Sequence, residues 1–311
     1  MAAAAAGVLR AAPAEPRTFV YKEAEGCRIK ADVFGIASGG RKPAAVWIHG
    51  GALIMGSRLL GPNSRVLRQL LEAGFTVISI DYRLAPETKL PAIIEDVRDA
   101  FRWVNESAGE LGIDPESVTA CGGSAGGYLT LMTGFAVKPR PKALVAYWGY
   151  GDIVGPWYSR PDPFYLRQPA VTREEALAAV GSAAVSEPPP KNNRGRFYLY
   201  CRQQGLWPKE VAGRDPATDD RWFSRYCPLR NVTREYPPAM LVHGTADTDV
   251  PYEQSKLMAE RFRAVGVPHQ LVTVPEGGHG INNIAAEEQD RIYGKAALFL
   301  MKACRSARRP R

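Results

Sequence analysis

The chain has 311 residues, 45% of them hydrophobic, which supplies apolar mass for one large domain or two ordinary ones and excludes wholesale disorder. Its formal net charge of +8 raises nucleic acid as a partner, but part of the excess lies in Arg305, Arg308, Arg309 and Arg311, and no groove-reading or base-stacking motif accompanies it; no nucleic-acid partner is expected. Five scattered cysteines, Cys27, Cys121, Cys201, Cys227 and Cys304, have no metal-ligand spacing and point to a reducing, cytoplasmic setting, with pairing of Cys201 and Cys227 left open.

Residues 1–17 are rich in Ala and Pro and lack a basic stretch followed by a leucine-type core, so they read as a disordered tail, with one domain over 18–311. Phe19-Val20-Tyr21 and Arg28 to Phe34 alternate apolar with polar residues around Glu25-Gly26, the pattern of an antiparallel pair at a sheet edge. Ala44 to Ile48 is instead a continuous apolar run, as in a strand covered on both faces, and it ends in His49-Gly50-Gly51-Ala52. A helix is expected from Pro62 to Ala73, stopped by Gly74, followed by a buried strand over Phe75–Ile80 and the segment Asp81-Tyr82-Arg83-Leu84-Ala85-Pro86.

From Pro91, Ile94, Val97, Phe101 and Val104 recur at helical spacing to about Gly109. The run Val118 to Cys121 is the next strand, and a helix-compatible run begins near Ala125. Buried strands at 143–148 and 239–243, a helix from Tyr252 to Val265, a strand at 270–274 and a helix from Ala286 to Ala303 complete the alternation. Strands alternating with helices imply a mostly parallel, doubly wound α/β sheet, whose ligands gather at the carboxyl ends of the strands. The exception is an insertion at 149–238. It is rich in aromatics, carries Pro188-Pro189-Pro190, and is too long for a plain loop. No apolar run is long enough to span a membrane.

Chemistry concentrates in Gly122-Gly123-Ser124-Ala125-Gly126-Gly127, where Ser124 stands at a sharp strand-to-helix turn. Residues without a Cβ let the two backbones approach, and the helix N-terminus offers unpaired N–H groups to a developing anion. Of the four histidines, His279 alone lies in a glycine-flanked loop after the last strand and is the candidate general base. His49 and His243 are expected to make structural hydrogen bonds, and His269 to lie at the surface. In the loop after the preceding strand, Asp247 is the preferred acid, while Asp249 stands closer to the following helix, where an aspartate is often a cap. Gly50, Gly51 and Ala52, with Ala125, are candidates for an oxyanion hole. Trp148, Trp157 and Trp207 are candidates for the substrate pocket.

In His49-Gly50-Gly51, Asp81 to Pro86, Gly122 to Gly127, His243-Gly244 to Asp247 and Gly278-His279, the chain resembles the α/β-hydrolase superfamily. Within it the likeness is to the hormone-sensitive-lipase-like esterases, with kinship to prolyl-oligopeptidase-like hydrolases. The family pattern has a third glycine where this chain has Ala52, and the acid loop reads more like the peptidase-related and dienelactone-hydrolase-like branches. The resemblance implies a Ser124–His279–Asp247 triad acting on a small-molecule ester through an acyl-enzyme, with no cofactor or metal, and a cap over the site at 149–238. A peptidase or amidase on the same triad and a non-catalytic ligand receptor stay open, as does a homo-oligomer.

Overall fold

The computed structural model describes residues 15–37, 39–188 and 193–306. Most of the tail expected at 1–17 therefore lies outside the described residues, and Arg17 already belongs to the first strand. The strands are β1 (Arg17–Ala24), β2 (Cys27–Phe34), β3 (Lys42–Ile48), β4 (Thr76–Ile80), β5 (Ile113–Gly123), β6 (Leu144–Tyr147), β7 (Ala239–Gly244) and β8 (His269–Val274). They form one sheet in the order β1-β2-β4-β3-β5-β6-β7-β8, antiparallel at β1-β2-β4 and parallel from β4 onward. The long helices are α1 (Arg65–Glu72), α2 (Leu90–Glu106) and α3 (Ala125–Ala136), then α9 (Glu253–Val265) and α10 (Ala286–Ser306). Between β6 and β7 the insert contributes α4 (Pro156–Ser159), α5 (Arg173–Ala178), α6 (Arg194–Gln204), α7 (Trp207–Ala212) and α8 (Pro216–Phe223).

The continuous apolar runs are the strands of the sheet interior, because each must bury both faces. In β6, Val145 joins the core under α1 and α10, and Ala146 joins the core under α2, α3 and α9. At the edge, β1 remains largely open and alternates in sequence. The insert is not a separate globule: Trp207, Phe197 and Phe223 bury themselves in the same core as α2 and α3. All five cysteines are free, Cys201 and Cys227 included. Among the described residues, no helix is long and apolar enough to cross a membrane.

The order β4-β3-β5 places a switch point between β3 and β5, where successive crossovers run in opposite directions and a crevice opens beyond the strand ends. Register aligns those ends, since Ile48 of β3 pairs with Gly122 of β5. The first turn of α3 then passes directly over the end of β3. A Cβ on Gly126 would fall 2.0 Å from the Ile48 carbonyl oxygen and 2.6 Å from that of His49, so only glycine allows the approach. Neither obstacle is a movable side chain. Gly126→Ala is expected to cost about 3 kcal/mol, the upper end of ordinary overpacking, and to lower Tm by roughly 5 °C or more in a thermal melt.

Candidate active site

Ser124 links β5 to α3 with φ 57° and ψ −122°, a backbone state unusual for a residue with a side chain. Such strain costs on the order of 1–3 kcal/mol and persists only where the surroundings enforce it. Here the Ser124 N–H donates to the Tyr147 carbonyl at 2.9 Å, and its own carbonyl accepts from Tyr128 N–H at 2.9 Å, opening α3. The turn holds the side chain at the strand ends, and the Ala125 N–H behind it, as a first-turn donor, has no intrahelical partner.

Beside it runs the loop after β3. Gly51, Ala52 and Leu53 all have positive φ, at 106°, 55° and 61°, and the Gly51 carbonyl accepts from Ile54 and Met55 N–H at 2.8 and 2.9 Å. This tight turn occupies the Gly51 carbonyl within the loop itself. The N–H groups of Gly51 and Ala52 have no hydrogen-bond partner among the described residues. Gly50 touches the nucleophile turn, where an added Cβ would lie 3.3 Å from Ser124 Cβ. The loop is held from behind by residues distant in sequence. Trp207 Nε1 donates to the Ala52 carbonyl at 2.8 Å, and buried Arg194 donates to the Ile54 and Ala85 carbonyls while pairing with Glu87 at 2.6 Å. Tyr82 stacks on His49 at 4.2 Å and donates to its carbonyl at 3.0 Å. Burial lowers the His49 pKa to about 4, and Nδ1 lies 2.7 Å from the Gly50 carbonyl, so His49 is a neutral structural group. The Asp81-Tyr82-Arg83 segment is likewise structural. Asp81 binds Arg58 at 2.7 Å, and Arg83 binds Asp96 at 2.7 Å.

On the other side, the loop after β7 meets the loop after β8. His279 Nδ1 lies 2.8 Å from Asp247 Oδ2, and the Asp247 side chain is fully buried. Its Oδ1 accepts from Asp249 and Val250 N–H, both at 2.9 Å, which fixes the turn. Burial alone would raise the Asp247 pKa, but hydrogen bonds from His243 and His279 hold the carboxyl well below the ordinary carboxylate range. His243 also contacts Ser255 Oγ at 2.7 Å and the Val250 carbonyl at 3.0 Å, a structural role. For His279, burial opposes the charge, yet the bond to Asp247 and the fields of Asp249 and Asp247 outweigh it and raise the pKa above 6.5.

Asp249 differs from its expected place as a helix cap. The cap position of α9 is Tyr252, without a side-chain capping bond, and Asp249 turns back toward the site instead. Its Oδ2 lies 3.3 Å from His279 Nε2, while its Oδ1 accepts from Tyr165 OH at 2.7 Å, from Arg202 at 2.8 Å and from Tyr198 OH. The sequence reading passed over these insert residues. Their one local signal is the spacing Arg194, Tyr198, Arg202, which places three polar groups on a single face of α6.

Ser124, His279 and Asp249 line a common cavity of about 400 Å³, together with Gly50, Gly51, Ala52, Trp47, Met55, Trp148 and Tyr198. No hydrogen bond joins Ser124 Oγ to His279 in this state among the described residues. Of the three tryptophans expected in a pocket, Trp148 is on its wall, with its ring 6.2 Å from that of His279. Trp207 and Trp157 stand outside that lining. Trp207 is wholly buried behind the Gly51 turn, and Trp157 stacks on Tyr158 at 3.7 Å with Nε1 on the Asp152 carbonyl. Both pack into the core that the insert shares with α2 and α3, and Trp207 also supports the loop.

The family model described as the alpha/beta hydrolase fold matches residues 45–283, and the chain belongs to that family. It is 30% identical to the non-reducing polyketide synthase ausA of Aspergillus calidoustus over 335 residues, covering 89% of this chain and 13% of that protein. It is 27% identical to Esterase LipC of Mycobacterium tuberculosis over 268 residues, covering 85% of this chain and 59% of the relative. The chain thus spans about an eighth of the first relative's length and under two thirds of the second's. A solved Staphylococcus aureus protein of unknown function superposes with a TM-score of 0.75 at 23% identity, over 93% of this chain and 99% of that one, a likeness of fold alone.

The Trp207 contact is separable from its packing. Trp207→Phe retains much of the ring volume but leaves the Ala52 carbonyl without its donor, so a loss of about 1–3 kcal/mol is expected. Urea denaturation checks it as a lower midpoint with an unchanged slope.

Proposed function

We propose that this chain hydrolyses carboxylic esters, with Ser124 as nucleophile, His279 as general base and Asp247 as the group that orients and stabilises the imidazolium. One observation carries the reading. A serine on a strained strand-to-helix turn shares a cavity with a histidine whose Nδ1 is fixed by a fully buried carboxylate. Neutral His279 accepts the Ser124 proton at Nε2 as Oγ attacks the ester carbonyl. The tetrahedral oxyanion receives hydrogen bonds from Ala125, Gly51 and Ala52 N–H, each worth roughly 3 kcal/mol in such sites, with Gly50 setting the close approach. His279 then hands its proton to the leaving alcohol and activates water to release the acid. For this, His279 Nε2, which lies 3.3 Å from Asp249 Oδ2, must come within hydrogen-bond reach of Ser124 Oγ, a tightening that resting sites commonly need. The name of one relative, Esterase LipC, supports an ester substrate, and the insert over 149–238 serves as a cap shaping the pocket.

A fluorophosphonate is expected to label Ser124, located by peptide mass spectrometry, and Ser124→Ala to abolish both labelling and aryl-ester turnover. Faster turnover of anilide than of matched aryl-ester substrates would move the reading to an amidase. Asp247→Asn keeps the shape but favours the wrong imidazole tautomer and should lower kcat by about 10³–10⁴-fold.

The pH profile follows from the sign of the His279 shift. The active form is neutral, and Asp247 and Asp249 together raise the pKa above 6.5 against burial and the Arg202 charge. The acid limb of kcat/KM is therefore expected above 6.5, with activity lost as pH falls through it. A limb below 6 would contradict the assignment.

A further inference from the structure

Resting on that reading, His279 is held between two carboxylates, and only one of them has work in the triad. Asp247 serves Nδ1. Asp249 Oδ2 faces Nε2 at 3.3 Å, on the side where the leaving oxygen must come to collect its proton. The two oxygens of Asp249 have different surroundings. Oδ1 is saturated by Tyr165, Tyr198 and Arg202, whereas Oδ2 lies 3.3 Å from His279 Nε2 with no other partner among the described residues, and Asp249 is on the cavity wall. The carboxylate is firmly built in. The Arg202 side chain is 1% exposed, donates also to the Asp249 carbonyl at 2.9 Å, and is shared with Asp162.

We propose that Asp249 is a specificity residue that accepts a hydrogen bond from a hydroxyl on the carbon next to the ester oxygen, so that the preferred substrates are monoesters of vicinal diols, polyols and sugars. The leaving oxygen and Asp249 Oδ2 must both approach Nε2, which makes them neighbours in the reacting complex. A plain alkyl alcohol puts a methylene against that oxygen and strips its hydration without replacement, a penalty that is larger for a charged acceptor. A hydroxyl one carbon away replaces the lost bond. It also occupies the oxygen that would otherwise accept the Nε2–H of the imidazolium, which leaves that proton to the leaving oxygen. Because Asp249 already has a cationic partner in Arg202, the site asks for a neutral donor and not a second cation.

The test compares kcat/KM for three acetates that share a short two-carbon stem: 2-hydroxyethyl, 2-methoxyethyl and protonated 2-(dimethylamino)ethyl. Phenyl acetate and the fluorophosphonate report the basic reaction. Wild-type protein should favour the hydroxyethyl over the methoxyethyl ester by 10-fold or more, and Asp249→Asn should bring that ratio close to one. The same variant should also lower the acid limb, since His279 is faced by Asp247, Asp249 and Arg202 and loses one of its two negative neighbours. A ratio near one in wild type, or one that Asp249→Asn leaves intact in folded protein, overturns the proposal. Preference for the ammonium ester overturns the choice of a neutral donor. The wild-type ratio needs no variant, so misfolding cannot hide the answer. No labelling and no phenyl acetate turnover in wild type would instead remove the ester-hydrolase reading beneath it.

Discussion

The site depends on a contact between backbones that leaves no room for a side chain. The first turn of α3 lies on the end of β3, with the Gly126 Cα facing the carbonyls of Ile48 and His49, and Gly50 lies against Ser124 from the other side. Because Ile48 and Gly122 are paired in the sheet, the end of β3 and the end of β5 arrive level with one another. Ser124 and the loop after β3 are therefore positioned by sheet register, which is rigid, and not by the loops' own preferences. The positive φ values at Ser124, Ala52 and Leu53 are what the chain tolerates to leave those strands in the right directions.

The second organising element is a single face of α6. Arg194, Tyr198 and Arg202 are spaced four residues apart and therefore stand one above another along the helix. Arg194 grips the loop after β3 through the Ile54 carbonyl, and Tyr198 and Arg202 grip Asp249 in the loop after β7. Arg202 is further enclosed by aromatic rings, with Tyr165 and Tyr158 at 4.6 and 5.0 Å. A buried cation so surrounded costs heavily to desolvate unless it is paired, and here Asp162 and Asp249 supply carboxylates to its two terminal nitrogens, while Nε has no hydrogen-bond partner among the described residues.

Local pattern carried the sheet and the elbow. Short apolar runs ending in glycine, and the change of period from strand to helix, identified the strand ends from which Gly51, Ser124, Asp247 and His279 project. It did not carry partners separated widely along the chain. Trp207 and Ala52 are 155 positions apart, and Arg202 and Asp249 are 47 apart, so neither contact leaves a trace in any window of sequence. Asp249 stands second to Asp247 as an acid in the sequence because an aspartate near a helix start is often a cap, but α9 begins only at Glu253, with Tyr252 at the cap position. The actual partners of Asp249 come from an insert whose own fold has no simple periodicity. Trp157 and Trp207 were assigned to a pocket for a related reason: aromatic content reveals that something is being covered, but not whether it is ligand or core.

The grip of α6 on both loops bears on how a substrate gets in. An insert attached only at its ends could swing out as a lid, exposing a finished site beneath. Here outward displacement must break Arg194 from Glu87 and Ile54, Trp207 from Ala52, and Arg202 from Asp249 together. Local opening of the insert is thus coupled to loss of order in the reacting groups themselves, as in a single cooperative unit. Traffic is left to the standing mouth of the cavity, where His279 is 28% exposed. The width of that fixed aperture, rather than the ease of a hinge, then limits how large a molecule can enter the cavity.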